Sequence, residues 1–498
     1  MPHPLQTWAR RSWRVAGSLF LLAVLTLGLP VRAAPGPTYT LGGTISGLNA
    51  PGLVLASGAQ VLNLAPGASN FTFPQPLPDG SPYAVVVSDS PPGLDCNVTA
   101  NGFGTVAGAN VTSVAVVCTG AASGNTVLYA FGTGPARPDA SSPRCNLIRA
   151  RDGNFYGTTF SGGAKGLGTV FRVTPTGVES VLHSFGGRVL GDGANPTAAL
   201  IEASDGNLYG ASLIGGPNNT GTIFRISLTG EYAILHAFER TATGGSLGGI
   251  SHLVEARDGN FYAATILGGP NGSGTILRIS PTGATKIVDT FGPLHSSDGG
   301  GPQGALMQAQ DGYLYGTTVF GGTSDTGTVY RFDPATGTHQ VIHSFGPTGS
   351  GDGKGPYSAL LEASNGVFYG TTGAGGASDQ GSVFRILTGA NSGTRESVVY
   401  SFSGLGSGDG RVPASDLMLG RDGYLYGTTG LGGASGVGVL FRVGTGGTES
   451  IVHSFGGLLQ GDGAVPMSAP VQGNDGALYG TTSNGGPRNQ GTVYRIVP

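Results

Sequence analysis

Five aspartates that share one position in a repeated loop are the residues best suited to chemistry in this chain. Each is followed by glycine and stands four residues before a proline: Asp192, Asp298, Asp352, Asp409 and Asp462. Loop carboxylates bind calcium, but one aspartate per loop supplies too few oxygens unless backbone carbonyls complete the coordination shell. Aspartate also caps loops by accepting hydrogen bonds from nearby backbone N–H groups. The sequence leaves both interpretations open; it favours loop capping, and calcium is the one cofactor that the pattern allows.

Three glutamates recur at a second position of the repeat, where other copies carry Arg149 and Gln308. They are Glu202, Glu255 and Glu362. A pair of carboxylates in one site would permit the acid–base chemistry of a glycoside hydrolase or a polysaccharide lyase. A chemical site, however, needs different groups that converge once, whereas these residues recur with the repeat and no histidine joins them. The pattern therefore favours binding over catalysis and identifies no catalytic residue.

Four histidines share one register of the fourth strand that we predict in each copy of the repeat. They are His183, His236, His343 and His453. In a ring of sheets the fourth strand lies outermost, so these side chains are spread around the rim and cannot bind one metal ion together. We interpret them as hydrogen-bonded structural residues.

Three cysteines are present, and two of them fall in one small N-terminal segment. We predict that Cys96 and Cys118 form a disulfide in an oxidising compartment. Cys145 is left over, and we interpret it as a small, buried apolar residue. No CxxC motif of the kind that binds metals or exchanges disulfides occurs in the sequence.

One phrase returns seven times along the chain, and it positions the aspartates, glutamates and histidines described above. Aligned on Asp-Gly, or Asn-Gly once, the copies begin at Asp152, Asp205, Asp258, Asp311, Asn365, Asp422 and Asp475. Differences between these positions are 53, 53, 53, 54, 57 and 53 residues, and seven copies at such a period indicate a closed ring. Asp-Gly and Asn-Gly both favour type I′ hairpin turns, so we interpret these aspartates as turn residues.

Each copy offers four strands, which in the second copy are predicted over residues 198–203, 208–212, 221–226 and 232–238. Seven such units predict an all-β chain that forms a seven-bladed β-propeller with four-stranded blades. Residues 126–131 read as a fourth strand without its blade, and residues 491–497 as a third strand that lacks a fourth. We predict that these two strands pair and close the ring, because this leaves no open sheet edge.

The predicted strand order separates two faces of the ring. Antiparallel strands place the aspartate loops beside the Gly-Gly loops, with the tight Asp-Gly hairpins on the other face. We predict that the face with the long loops binds a ligand. Beside each Gly-Gly the side chain varies between copies: Phe160, Ile214, Leu267, Phe320, Leu431 and Asn484. The sequence leaves open whether the apolar members contact sugar rings, grip a peptide or pack against the neighbouring copy.

Most copies contain a phrase of the form YGTT-x-x-GG-x(4)-GTV-[FY]-R-[IV], which starts at Tyr156, Tyr315, Tyr369, Tyr426 and Tyr479. It resembles the Gloeo/Verruco (GloVer) tandem repeat of secreted bacterial proteins. The likeness covers about residues 126–498. It implies a secreted β-propeller and assigns no ligand.

The N-terminus has the form of a secretory signal peptide. Arginines precede an apolar run over residues 15–31, and small residues allow cleavage after Ala33. The paired Arg10 and Arg11 leave general-secretory and twin-arginine export open. No later segment is long and apolar enough to span a bilayer, so we predict a signal peptide over residues 1–33 and a secreted or periplasmic protein.

Residues 38–119 contain no copy of the repeat and consist of short alternating runs separated by turn signals. We predict a small antiparallel β-sandwich there, joined to the propeller (126–498) by a flexible linker at 120–125. The phrase GGTISGL after residue 41 and the position of Cys118 at the end resemble a bacterial extracellular immunoglobulin-like module.

Composition gives no sign of a nucleic-acid partner. The net charge is −3, and the only lysines are Lys165, Lys286 and Lys354. We predict a monomeric, non-enzymatic binding scaffold that recognises a glycan or a protein. Two alternatives remain open: a carbohydrate-active enzyme, lyase or hydrolase, with its site at the channel mouth, and a structural protein of the envelope or matrix.

Overall fold

The computed structural model describes residues 36–498 except 92–93, 121–124, 134–138, 240–249, 251, 348, 389–394, 405, 407, 414 and 460. In this part the chain is all-β, with a four-residue helix at Gly187–Leu190 and a short 3-10 turn at Gly457–Leu459. None of its helices has the length and hydropathy of a membrane span. The predicted signal peptide (1–33) and most of the predicted linker (120–125) lie outside the described residues.

The N-terminal module (residues 38–119) consists of two facing sheets and two short strand pairs. One sheet has the strand order Asn70–Thr72, Leu41–Ser46, Val111–Gly120, Leu94–Ala100, and the other Gln60–Leu64, Leu53–Ser57, Val86–Asp89. The short pairs join Thr38–Tyr39 to Leu77–Pro78 and Pro82–Ala84 to Phe103–Thr105. Apolar side chains of both sheets share one core, and the predicted Cys96–Cys118 disulfide lies in it.

This module departs from the purely antiparallel sandwich that we predict from the sequence. Val111–Gly120 runs parallel to Leu41–Ser46, although it is antiparallel to Leu94–Ala100. A parallel pair needs a long crossover, and the strands between residues 46 and 111 supply one. Alternation of apolar residues indicates which side of a strand is buried but not the direction of its neighbour, so the sequence pattern could not show this.

Seven further sheets, numbered 1 to 7 along the chain, each contain an antiparallel path of four strands among the described residues. Sheet 1 consists of Ile148–Arg149, Phe155–Gly162, Thr169–Val173 and Glu179–Ser184, and sheet 2 of Ile201–Glu202, Leu208–Gly215, Thr222–Ile226 and Tyr232–Ala237. Sheet 3 consists of Val254–Glu255, Phe261–Thr265, Thr275–Ile279 and Thr285–Thr290, and sheet 4 of Met307–Gln308, Leu314–Thr318, Thr328–Asp333 and Thr338–Ser344. Sheet 5 consists of Leu361–Ser364, Val367–Thr372, Ser382–Leu387 and Arg395–Ser401, and sheet 6 of Met418–Leu419, Leu425–Thr429, Val439–Val443 and Glu449–Ser454. Sheet 7 is Val471–Gln472, Leu478–Thr482, Thr492–Ile496, Thr126–Ala130.

The seven sheets are joined in a ring by apolar clusters. Each cluster combines buried side chains of two consecutive sheets; in the cluster between sheets 1 and 2, for example, Tyr156 and Val170 pack with Leu208 and Phe224. The same holds for every following pair, and a final cluster joins sheet 7 to sheet 1. Because burial of apolar area is the main stabilising term in folding, each sheet depends on both of its neighbours.

Sheet 7 contains strands from both ends of the repeat region. Thr126–Ala130 pairs antiparallel with Thr492–Ile496, with Thr126 opposite Arg495 and Ala130 opposite Thr492. This is the predicted ring-closing pair. It covers the edge that Thr492–Ile496 would otherwise expose.

The two ends of the ring differ, as predicted. Short loop strands that precede a sheet pair with the segment after its second strand: Ala140–Pro143 with Phe155–Gly162, Gly193–Pro196 with Leu208–Gly215, Gly353–Lys354 with Ala374–Gly375, Gly410–Arg411 with Leu431–Gly432, and Gly463–Ala464 with Asn484–Gly485. These pairs build one end, the long-loop face. The Asp-Gly hairpins between first and second strands build the other, the hairpin face.

Candidate ligand-binding site

A cavity of about 500 Å³ opens on the long-loop face, where the segments that lead into the first strands converge. We call it the mouth cavity. It is lined by at least one residue of every sheet, among them Arg144, Thr197, His252, Gln303, Tyr357, Asp416 and Met467. Residues that lead into all seven sheets thus meet in one cavity, and its volume falls in the range of small-molecule sites.

One position of the repeat supplies this lining with polar side chains that could bind a ligand. The residue two positions before the first strand is alanine in four sheets: Ala199, Ala305, Ala359 and Ala469. In sheets 1, 3 and 6 the same position holds Asn146, His252 and Asp416 instead, and all three line the cavity. These polar groups differ from one another and converge once, which is what a site requires and a scaffold does not.

Asn146 and Asp416 are joined across the cavity wall by hydrogen bonds. Asn146 Nδ2 donates to Asp416 Oδ2 at 2.7 Å. The backbone N–H of Ala359 donates to Asp416 Oδ1 at 2.6 Å, and that of Ala469 donates to Asn146 Oδ1 at 2.8 Å. Two side chains from sheets 1 and 6 are thus fixed against the backbones of sheets 5 and 7. Fixed polar groups of this kind orient a ligand at little cost in entropy.

His252 lies in the same cavity. Its Nδ1 atom is buried and has no hydrogen-bond partner among the described residues. Burial lowers the pKa of His252 below its ordinary value, and the negative charge of Asp416 opposes that shift. A neutral imidazole offers both a donor and an acceptor, so His252 can bond a ligand hydroxyl in either sense.

The position two residues earlier in each copy adds varied side chains to the cavity wall. It carries Arg144, Thr197, Gln303, Tyr357 and Met467 in sheets 1, 2, 4, 5 and 7. The Arg144 guanidinium lies 4.5 Å from the centre of the Phe160 ring, a cation–π contact that holds it at the rim. Tyr357 is 39% exposed, so a large aromatic surface faces the opening.

Cys145 also borders the cavity, but it is buried and unpaired, as expected from the sequence. Burial raises the pKa of its thiol to about 11. Because the thiolate is the reactive form of cysteine, this residue has no nucleophilic character near neutral pH.

The five loop aspartates lie away from the mouth cavity and apart from one another, each between two sheets. Each accepts a bond from the backbone N–H six residues earlier: Gly186 to Asp192, Gly292 to Asp298, Gly346 to Asp352, Ser403 to Asp409 and Gly456 to Asp462. Asp192 and Asp409 are only 6% exposed. Asp139 makes the same contact with Gly132, although its following residue is alanine and the sequence pattern missed it. These bonds agree with the loop-capping interpretation.

The six side chains beside Gly-Gly surround the cavity without lining it. Ile214, Leu267 and Phe320 are 39%, 54% and 39% exposed, whereas Phe160 and Leu431 are half-buried. Asn484 is exposed and accepts a bond from the hydroxyl of Ser483. They are spread around the ring, and their role in binding a ligand on the long-loop face stays a prediction.

The first-strand glutamates bond to the hairpin of the preceding sheet. Glu202 accepts the backbone N–H of Arg151 at 2.9 Å, Glu255 that of Ser204 at 2.7 Å and Glu362 that of Gln310 at 2.8 Å. Gln308 and Gln472 do the same for Arg257 and Arg421. These side chains clasp consecutive sheets on the hairpin face. Because each glutamate is bonded to a different hairpin, these residues do not form a carboxylate pair for acid–base chemistry.

This geometry defines a class of protein: an all-β repeat protein whose four-stranded sheets close into a ring around one varied cavity. The chain belongs to the Gloeobacter/Verrucomicrobia repeat family, whose model matches residues 97–251 and 249–494. The family resemblance seen in the sequence is thereby confirmed.

Comparisons beyond the family are distant. The sequence finds no match among curated proteins. Among solved structures, virginiamycin B lyase from Staphylococcus aureus is 11% identical over 72% of this chain and 95% of its own, with a TM-score of 0.46. A putative 6-phosphogluconolactonase from Bacteroides uniformis is 18% identical over 68% and 90%, with a TM-score of 0.44. The periplasmic gluconolactonase of Pseudomonas aeruginosa is 19% identical over 71% and 96%, also at 0.44. At these identities no activity follows for this chain.

Proposed function

We propose that this protein is a secreted or periplasmic bacterial binding protein that recognises a glycan through its long-loop face. In this proposal the seven sheets are the blades of a β-propeller, the N-terminal module is an immunoglobulin-like sandwich, and the ligand enters the mouth cavity. The observation that carries the proposal is the unique convergence of Asn146, His252 and Asp416 where four other sheets carry alanine.

The lining favours a glycan over a protein ligand. Sugars are held by amides, carboxylates and imidazoles that bond their hydroxyls, and by aromatic rings against their apolar faces. The cavity offers Gln303, Asp416 and His252 for the first task and the exposed ring of Tyr357 for the second. A protein surface would need a broader contact area than a cavity of about 500 Å³ presents.

The enzymatic alternative has less support. The glutamates Glu202, Glu255 and Glu362, which would have to supply an acid–base pair, accept bonds from backbone N–H groups on the hairpin face, on the opposite side from the cavity. Among the described residues that line the cavity, Asp416 is the one carboxylate, so the second member of an acid–base pair is missing there. A purely structural protein of the envelope would not need a varied cavity of this kind.

A glycan array tests the proposal. The full mature chain is applied with and without calcium, and we expect binding to at least one glycan class. His252→Ala should weaken that binding about tenfold, because one hydrogen bond to the ligand is lost. Alanine is the residue of four other sheets at this register, so the fold should tolerate it. Lys286→Ala, on an exposed fourth strand, is the control and should bind like the native chain.

Two results would count against the proposal. An empty array in both calcium states would remove the glycan form of it and leave a protein ligand to be sought. Release of shortened or unsaturated products from a polysaccharide panel would instead establish the lyase or hydrolase alternative.

A further inference from the structure

A second cluster of chemistry-bearing side chains lies far from the mouth cavity, at the junction between sheets 4 and 5. His343 comes from the fourth strand of sheet 4, Glu396 from the fourth strand of sheet 5, and Asp352 from the loop between them. Among the described residues, this is the one group of three His, Cys, Asp or Glu side chains whose ligand atoms all lie within 4.8 Å of one another.

The corresponding junction between sheets 1 and 2 is closed by direct hydrogen bonds. His183 Nε2 lies 2.9 Å from Asp192 Oδ2, and the Tyr232 hydroxyl donates to Asp192 Oδ1 at 3.1 Å. Between sheets 6 and 7, His453 Nε2 lies 2.8 Å from Asp462 Oδ2. In these junctions the imidazole has its partner and no further ligand is required.

The junction between sheets 4 and 5 (the 4/5 junction) is different, because its histidine makes no hydrogen bond to the loop aspartate. His343 Nε2 and Asp352 Oδ2 are 3.9 Å apart, too far for a hydrogen bond. His343 Nε2 and Glu396 Oε1 are both buried and lack a partner among the described residues. Two carboxylates and a free imidazole nitrogen therefore face one small space.

The sister junctions show which residue makes the difference. Between sheets 5 and 6 the trio is Tyr400, Asp409 and Glu449, and the Tyr400 hydroxyl donates to Asp409 at 3.0 Å. Glu449 Oε1 is buried without a partner there too, so an orphaned glutamate oxygen is common to both junctions. What the 4/5 junction adds is an imidazole in place of the phenol.

We propose that His343, Asp352 and Glu396 bind one divalent metal ion of the zinc type, which ties the outer strands of sheets 4 and 5 together. Zinc takes one imidazole with carboxylates and completes its shell with water, whereas calcium requires six to eight oxygens and has no use for the histidine. Tetrahedral ligands about 2.1 Å from zinc lie about 3.4 Å apart, so the 3.9 Å gap between His343 and Asp352 has to close by about half an ångström. The gaps to Glu396, which are within 4.8 Å, have to close by at most about 1.4 Å.

The test is a zinc titration of the full chain, prepared without a polyhistidine tag and stripped with a chelator. Isothermal titration should find one strong site per chain, and zinc should raise the melting temperature. His343→Tyr copies the 5/6 junction and should therefore fold, but it should weaken this binding more than about tenfold and abolish the thermal shift. Glu396→Gln, which keeps the shape of the side chain, should weaken binding by a similar factor.

A gain-of-site variant sharpens the test. Tyr400→His would give sheets 5 and 6 the same three ligand types with Asp409 and Glu449, and it should raise the stoichiometry from one zinc per chain to two. The proposal is overturned if the native chain binds no zinc, or if zinc binds equally well to the native chain, to His343→Tyr and to Glu396→Gln.

Discussion

At the scale of single residues, the repeated Tyr, Asp and Arg form one local unit within each sheet. In sheet 7 the Tyr479 hydroxyl bonds Asp475, and Arg495 donates to the same carboxylate from Nε at 2.9 Å and Nη2 at 2.7 Å. The recurrence of this arginine in the sequence indicates a structural ion pair or a carbonyl clamp between sheets. The ion pair is confirmed for Arg495, whose partner Asp475 belongs to the same sheet, and the first-strand Glu or Gln also join consecutive sheets.

Removing Asp475 tests how much this unit contributes where it is buried. Side chains of Arg495 and Asp475 are 4% and 3% exposed, so Asp475→Ala would remove the carboxylate that neutralises a buried cation. We expect the free energy of unfolding to fall by about 3 to 5 kcal/mol in urea denaturation. Asp205→Ala is the matched control in sheet 2, where Arg225 is exposed, and it should cost only about 1 kcal/mol. Equal costs at the two positions would contradict this account.

Glu449 gives the fold a dependence on pH. Burial, reinforced by the charge of Asp409, raises the pKa of Glu449 to about 7. The folded state then holds this proton between about pH 4.5 and 7 while the unfolded state has lost it, so the contribution of this group to stability falls as the pH rises through that window. Glu449→Gln should be more stable than the native chain by about 1 kcal/mol at pH 8, after allowance for solvent screening, and equal to it near pH 4.5.

Melting curves recorded from pH 4.5 to 8 measure this difference. Glu231→Gln, at an exposed position, serves as the control and should shift the curve little at any pH. If the difference in melting temperature between the native chain and Glu449→Gln does not change between pH 4.5 and 8, the pKa of Glu449 is not raised and this account is wrong.

Sequence patterns predicted the scaffold residues well and the site poorly. The hairpin aspartates are turn residues as predicted, but the turn is not type I′. Gly153 N–H bonds Ala150 O, Ala150 N–H bonds Asn154 O, and only Gly153 has a positive φ, of 82°. This is a three-residue hairpin with glycine in the left-handed position, for which Asp-Gly is equally suited. Asn146, His252 and Asp416 do not recur between copies, so a comparison of recurring residues does not identify them. The signal that could identify them is a polar residue at a register where four copies carry alanine.

At the scale of elements, the predicted strands are confirmed in type and order, with shifted ends. In the second copy the first strand is only Ile201–Glu202, whereas residues 198–203 were predicted. Residues 198–200 are apolar and buried, as a strand would be, but they lead along the mouth cavity and pack between sheets without pairing. Apolar character indicates burial and cannot by itself indicate a ladder of hydrogen bonds.

The ring-closing strand can be tested as an element. Replacing Thr126–Ala130 by glycine and serine removes Leu128 and Tyr129, which pack on the cluster between sheets 7 and 1, and exposes the edge of Thr492–Ile496. We expect a loss of about 3 kcal/mol in stability, faster hydrogen exchange at residues 492–496 and aggregation through the open edge. The same replacement at residues 121–124 is the control. If exchange at 492–496 stays slow in the first variant, this strand does not close the ring.

At the scale of the whole molecule, the N-terminal module docks where the repeated clasp is missing. Sheet 1 carries Arg149 at the register of the glutamates, and its Nη2 donates to the Val87 carbonyl at 3.3 Å. Asn474, in the hairpin of sheet 7, donates to the same carbonyl at 2.9 Å, and Arg421 pairs with Asp89 at 2.7 Å. One departure from the repeat thus becomes an attachment point, which no pattern of recurring residues could predict.

Arg149→Glu restores the residue of three other sheets and should release the module. The carboxylate would repel the Val87 carbonyl, so we expect a larger radius of gyration in solution X-ray scattering and faster exchange in Val86–Asp89, with little change in the ring. Glu362→Gln, which copies Gln308 and Gln472, is the control and should leave both measurements unchanged. An unaltered scattering curve for Arg149→Glu would mean that other contacts hold the module.

The docking position also separates the two working ends of the molecule. Because the N-terminal module contacts the hairpin face, a ligand in the mouth cavity and a partner on the module are held on opposite sides of the ring and cannot exclude each other. If the module were attached to a surface, the mouth cavity would open away from that surface. Under the proposed function the ring would act as a spacer with its open end outward, and both positions could be occupied at once without any change of shape.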